Sequence, residues 1–314
     1  MRSPHPSRSK LLALFAALTL VLLAACGGGD DDADSGGEDE DGAAAGPSLT
    51  VASAGFGENE LLANMFGKAL EDAGVKVSYK LKLGSREILA PALERGDIDL
   101  VPEYVGNLLA FYDAAAAEPG DDLDTLTEKL RKEATKKELT VLEPSEAVDG
   151  DVIAMTKDKA DELGVKKISD LKGKETGLTM GGPAECAQRI TCLKGLQDVY
   201  GLKFKEFKPL DTGGPITVGA LKDGDVDVAR LFSSDPALVA NDFVVLEDDK
   251  LIQPAGNVVA VIRTSVLTDE IEEVLERLSE ALTTEELIAL NKRVDVDKED
   301  PATVAEDWIE ENLR

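Results

Sequence analysis

The stretch LGSREILAPALERGDIDLVPEYVGN, residues 83–107, sets the architecture. Gly84-Ser85 opens a helix whose apolar positions Ile88, Leu89 and Leu93 fall at helical spacing, and Gly96-Asp97 stops it. Ile98, Leu100 and Val101 then begin a buried strand that ends at Pro102-Glu103-Tyr104. A helix thus feeds a strand whose carboxyl end carries one aromatic ring. The same phrase returns 128 residues on, where Ala220-Leu221-x-x-Gly224-Asp225-Val226-Asp227 repeats Ala92-Leu93-x-x-Gly96-Asp97-Ile98-Asp99 and Phe232 takes the place of Tyr104.

The repeat implies two lobes. Each begins alike, with Leu49-Thr50-Val51 running into Ser53-Ala54-Gly55 and Leu178-Thr179-Met180 running into Gly181-Gly182-Pro183. In an open α/β sheet the loops beyond the strand carboxyl ends form the ligand crevice, so two such lobes facing each other would set Tyr104 and Phe232 across one cleft.

At the amino terminus, Arg2, Arg8 and Lys10 precede an apolar run that ends at Leu23-Ala24-Ala25-Cys26. A charged region, a short apolar run and small residues before the cut form an export signal, spanning 1–25. The ending resembles the bacterial lipobox, which assigns lipidation to Cys26. Residues 27–48 are rich in glycine and acid, with no aromatic or β-branched side chain. Such a segment buries too little apolar surface to offset chain entropy, so 26–48 reads as a lipidated cysteine and a flexible acidic tether.

About 265 residues remain, enough for two lobes. The formal charge of -28 argues against nucleic acid as a partner. The one histidine, His5, leaves with the signal, so the mature chain has no imidazole for acid-base chemistry or metal binding. Cys186 and Cys192, in ECAQRITCLKG, would meet an oxidising exterior, and a disulfide is the expectation. A metal pair or a redox pair are the alternatives.

In the first lobe a strand at 49–53 leads through Gly55-Phe56-Gly57 into a helix with Glu58, Asn59 and Glu60 at its start and Leu61, Leu62, Met65, Phe66, Ala69 and Leu70 on one face. The backbone amides there can receive an anionic group. This βαβ rhythm predicts a mostly parallel sheet. Further elements are a helix at 123–137, a strand at 140–142 and late helices at 268–282, 284–292 and 301–313. Apolar strands at 151–156 and 257–264 read as the two crossings of a hinge. The first lobe then spans 49–150 and 257–314, with the second, 151–256, inserted; two sequential domains are the alternative.

The residues LGSREILAPALERGDIDLVPEYVGNLL, ALKDGDVDVARLFSSD and FVVLEDDKLIQPAGNVVAVIR resemble the substrate-binding proteins of osmoprotectant ABC importers, the glycine betaine, choline and ProX-type group. The resemblance runs from about Leu49 to Arg314. It implies an α/β, bilobal periplasmic-binding-protein fold of type II-like form, and a protein that closes on a solute and delivers it to a permease and, through that, an ATPase. The implied partners are a small solute, the permease and the outer face of the bacterial cell membrane. A monomer is expected, with no cofactor, metal or catalytic residue.

Members of the group hold a quaternary ammonium among aromatic rings, because a cation without hydrogen-bond donors is attracted to ring faces. By this resemblance Tyr104 and Phe232 are cage walls and Arg189 meets a carboxylate or polar head. Asn107, Asp235 and Asn257 supply polar contacts. Ser53 and Phe56, at the first-strand loop, complete the candidate set. The chain departs from the family at Ala54, where lysine is common, at Leu193, where an aromatic is common, and at Gln253-Pro254-Ala255-Gly256, before the return strand. The cage expected from sequence therefore lacks at least two sides. That leaves room for a different small polar solute, and the bilobal fold alone also admits a sensor or an enzyme.

Overall fold

The computed structural model describes residues 48–118 and 121–314. The export signal, Cys26 and the tether up to residue 47 lie outside the described residues. Among the described residues ten strands are formed: β1 (Ser48–Ala52), β2 (Lys76–Lys80), β3 (Leu100–Tyr104), β4 (Leu139–Val141), β5 (Asp151–Thr156), β6 (Thr179–Pro183), β7 (Glu206–Leu210), β8 (Val228–Phe232), β9 (Phe243–Val245) and β10 (Val258–Arg263). They make two five-stranded sheets, ordered β2-β1-β3-β10-β4 and β7-β6-β8-β5-β9. Matched place by place, the two sheets are the same sheet built twice.

The repeated Gly-Asp-x-Asp phrase explains the likeness. Gly96 and Gly224 take positive φ (78° and 76°), which lets the helix end and the chain turn into the middle strand. The second aspartate of each phrase then ties that turn to the neighbouring parallel strand, β1 or β6. Asp99 accepts the Thr50 amide (2.9 Å) and Asp227 accepts the Thr179 amide (2.8 Å). Even the lysines correspond: Lys80 donates to the Asp97 carbonyl and Lys208 to that of Asp225. β3 and β8 hold the same central place, and Tyr104 and Phe232 are their last residues.

The sheets are mixed rather than mostly parallel. β1 pairs in parallel with β2 and β3, but β10 is antiparallel to both β3 and β4, and in the other sheet β5 is antiparallel to β8 and β9. The cause is the route of the chain. β10 enters opposite Tyr104 and β5 enters opposite Phe232, so each returning strand starts at the cleft end of its sheet and runs away from it.

The same geometry corrects the hinge. Asp151–Thr156 and Val258–Arg263 are interior strands, buried apart from the half-buried Val152, Thr156 and Arg263. The chain crosses one step earlier, where Asp149 donates to the Gly256 carbonyl (2.9 Å) and Val258 to that of Ala147 (2.9 Å). Gly256 is needed there, since a Cβ would collide with the Asp149 carbonyl oxygen.

Late helices at Asp269–Ala281, Thr284–Asn291 and Pro301–Asn312 cover the first sheet together with Gly57–Asp72. Leu61, Leu62, Met65, Phe66 and Leu70 on that early helix are fully buried against Leu275, Leu287 and Trp308. Burial of each such large apolar side chain stabilises the fold by about 1.5–3 kcal/mol. Ile88, expected on the buried face of the helix Arg86–Arg95, is instead 53% exposed. Cys186 and Cys192 are joined in a disulfide, with Cα atoms 5.1 Å apart. So short a loop places its contribution near the low end for disulfides, about 2 kcal/mol.

Candidate functional site

Both central strands end at the seam between the lobes, and the loops beyond them enclose a cavity. It is lined from the first lobe by Phe56, Arg86, Glu103, Tyr104 and Asn107 and from the second by Arg189, Arg230 and Phe232. Its free volume is about 30 Å³, room for little more than water.

The aromatic side is a run of three rings. Phe56 stacks on Phe232 across the lobes (centroids 4.8 Å, planes 22° apart) and lies 6.4 Å from Tyr104. Phe56 is held by its loop, in which Asn59 accepts the Ala54 amide (2.6 Å) and donates to the Pro102 carbonyl (3.1 Å). Tyr104 is 2% exposed, with its hydroxyl donating to Glu58 (2.6 Å). It therefore backs Phe56 more than it faces the cavity.

The polar side is made of arginines. Arg86 forms a two-pronged pair with the buried Glu103 (2.8 and 2.6 Å). Arg189 pairs across the seam with Glu87 (3.1 and 2.9 Å), so the disulfide-closed loop bolts the second lobe to the first helix of the repeated stretch. Arg230 is buried on β8, bonded to Asp151, with its guanidinium carbon 3.8 Å from the Phe232 ring centroid. Burial draws its pKa down to about 10, which leaves it charged at neutral pH. Its Nη1 is buried with no partner among the described residues. A guanidinium with a free donor beside a cavity is ready for an anionic oxygen.

Of the residues singled out from sequence, Phe56, Tyr104, Asn107, Arg189 and Phe232 meet at this cavity. The other three do not line it. Ser53 is buried and its hydroxyl accepts the Lys82 amide (2.9 Å). Asn257 donates its side-chain amide to the Ser145 carbonyl (2.9 Å), which fixes the crossing segment. Asp235 accepts the Ala237 amide (2.7 Å) and lines an adjoining cavity of about 150 Å³ with Glu58, Asp211 and Asp295. Sequence reasoning missed Arg230, Arg86 and Glu103. The signal for Arg230 was present: a cation inside the otherwise apolar strand Val228–Phe232 is costly unless paired or used.

Two matched α/β lobes closed over aromatic and basic side chains define a bilobal solute-binding protein. Residues 47–311 match the family described as the substrate binding domain of ABC-type glycine betaine transport system, OpuAC, and the chain belongs to that family. It is 27% identical over 265 residues to the glycine betaine-binding protein YehZ of Escherichia coli K12, covering 81% of this chain and 87% of that protein. It is likewise 27% identical over 288 residues to a glycine-betaine-binding protein of Pseudomonas aeruginosa PAO1, covering 86% and 89%. A solved glycine betaine/carnitine/choline ABC transporter structure superposes with a TM-score of 0.65 at 24% identity, covering 84% of this chain and 98% of that one. The chain is thus a substrate-binding protein of an osmoprotectant-type ABC importer, a class of extracytoplasmic solute carriers rather than enzymes.

Proposed function

We propose that the solute is a small quaternary ammonium bearing a carboxylate, with glycine betaine as the leading candidate. The observation that carries this is one cavity lined both by the Phe56–Phe232 stack and by Arg230, whose Nη1 has no partner among the described residues. Phe56 belongs to one lobe and Phe232 to the other, so parting the lobes parts the rings. A trimethylammonium inserted between them would exchange a ring-ring contact for attraction to two ring faces. The carboxylate would reach Arg230, a contact choline lacks. Calorimetric titration with glycine betaine, choline and the uncharged-head isostere 3,3-dimethylbutyrate tests this. Glycine betaine is expected to bind tightest; equal affinity for the isostere would reject the cation site, and equal affinity for choline would reject the carboxylate site.

We also propose that the protein works as a monomer anchored through Cys26 to the outer face of the cell membrane. The charged start, short apolar run and Leu-x-Ala-Cys ending support this. Two acyl chains suffice for stable anchoring. Mass spectrometry of the native amino terminus is expected to find diacylated Cys26; an unmodified Cys26 or a start elsewhere rejects it.

A further inference from the structure

Glu58 of the first lobe, Ser234 of the second and Asp149 of the crossing segment meet in one buried knot. The Ser234 hydroxyl lies 2.5 Å from Glu58 Oε2 and 2.7 Å from Asp149 Oδ1. A hydroxyl has a single hydrogen and can donate to only one of them. The other contact is a hydrogen bond only if that carboxyl group itself supplies the proton. The surrounding donors are already committed: the Tyr104 hydroxyl to Glu58 Oε1 (2.6 Å), the Asn291 amide to Glu58 Oε2 (2.5 Å), and the Ser234 backbone (3.1 Å) and Ser233 hydroxyl (3.5 Å) to Asp149 Oδ1. Asp149 Oδ2 is buried with no partner among the described residues, a costly place for full negative charge.

The charged groups facing the knot neutralise it only in part. Arg230 is the nearby cation; its charge favours ionised Asp149, but its bonded carboxylate is Asp151. Asp235, on the turn after β8, and Asp295, which lines the adjoining cavity with it, add negative charge on the Glu58 side. Tyr104 contributes a neutral hydroxyl, and Asn291 a neutral amide. Two adjoining buried carboxylates that share one cation already bonded to Asp151 repel strongly enough that one keeps its proton.

We infer that Glu58 and Asp149 share one proton through Ser234, forming a proton-binding site in the seam that holds the lobes together. Closure over a solute, the reading proposed above, would then depend on pH. Burial, with the Glu58 charge added, holds Asp149 well above the usual carboxylate range, and burial raises Glu58 too. Parting the lobes removes Ser234 from Glu58 and admits water, which returns both groups toward ordinary values. The closed form therefore binds more protons than the open form. Its advantage is complete below the ordinary carboxylate range and is lost as pH rises through the raised value.

Carbon-13 NMR of aspartate and glutamate carboxyl groups in the protein alone tests the site without any solute. One carboxyl should titrate well above the others and vanish in Asp149→Asn, while the Asp235 transition, raised to about 6, remains. Spin labels on the two lobes should show the wild type opening as pH rises through that transition, and Asp149→Asn staying closed throughout. Ser234→Ala, which removes the bridge without removing either acid, should open at lower pH than wild type. Ordinary titration of both Glu58 and Asp149, or an interlobe distance in wild type that ignores pH, would overturn the inference. Failure of glycine betaine to bind would instead sink the solute reading alone, because neither measurement uses a ligand.

Discussion

Phe232→Leu is expected to weaken glycine betaine binding about thirtyfold, with Phe56→Leu close behind, while both variants fold. Leucine keeps most of the apolar volume, so each substitution should cost less than about 1.5 kcal/mol of stability. What it removes is the ring quadrupole, which in a desolvated site contributes about 2 kcal/mol of cation binding. The isostere 3,3-dimethylbutyrate separates the two effects, since it carries the carboxylate but no charge at its head. Its affinity should change little in either variant. Tyr104→Leu should behave differently, lowering the melting point more than the affinity, because that ring is buried behind Phe56 and its hydroxyl serves Glu58. Unchanged betaine affinity in Phe232→Leu would move the cation away from the stack.

The fold was legible because the sequence says the same thing twice. The Gly-Asp-x-Asp phrase carries its own chemistry, a positive-φ glycine and an aspartate that binds an amide of the neighbouring parallel strand, so its recurrence marks equivalent places in two sheets. Helix ends at Thr268, Thr283 and Asp300 could be read because each caps with its own side chain. Strand direction was not legible. A run such as VVAVI is buried on both faces whichever way it points, and only the crossing through Ala147 and Gly256 decides that β10 runs antiparallel.

The site divided along the same line. Tyr104 and Phe232 follow from the repeat, and Phe56 from its loop, since each depends on chain-local position. Ser53 and Asn257 looked equally available, yet their polar atoms are consumed by the Lys82 amide and the Ser145 carbonyl, partners 29 and 112 residues away. No local pattern reveals such a debt. Arg189 joined the cavity wall, but its guanidinium is already shared with Glu87. The donor left over belongs to Arg230, and it is left over only because the Asp151 carboxylate reaches one end of the guanidinium.

Arg230 accordingly serves both the fold and the solute, and the two roles can be pulled apart. Arg230→Met keeps the long apolar stem over Phe232 but strands Asp151, which is buried on the neighbouring strand. Breaking one side of a buried ion pair costs about 3–5 kcal/mol, and the loss should show in chemical denaturation. Adding Asp151→Asn removes the stranded charge, so the double variant should recover most of that stability. It should not recover carboxylate binding. Loss of charge-assisted hydrogen bonds worth about 1.5–3 kcal/mol predicts glycine betaine affinity down roughly tenfold to a hundredfold in the double variant. Choline, with nothing to offer Arg230, should bind the double variant as it binds the wild type. If glycine betaine and choline weaken together, Arg230 is a structural cation whose partner is Asp151 alone, and the carboxylate of the solute must be met by Arg189 after Glu87 releases it.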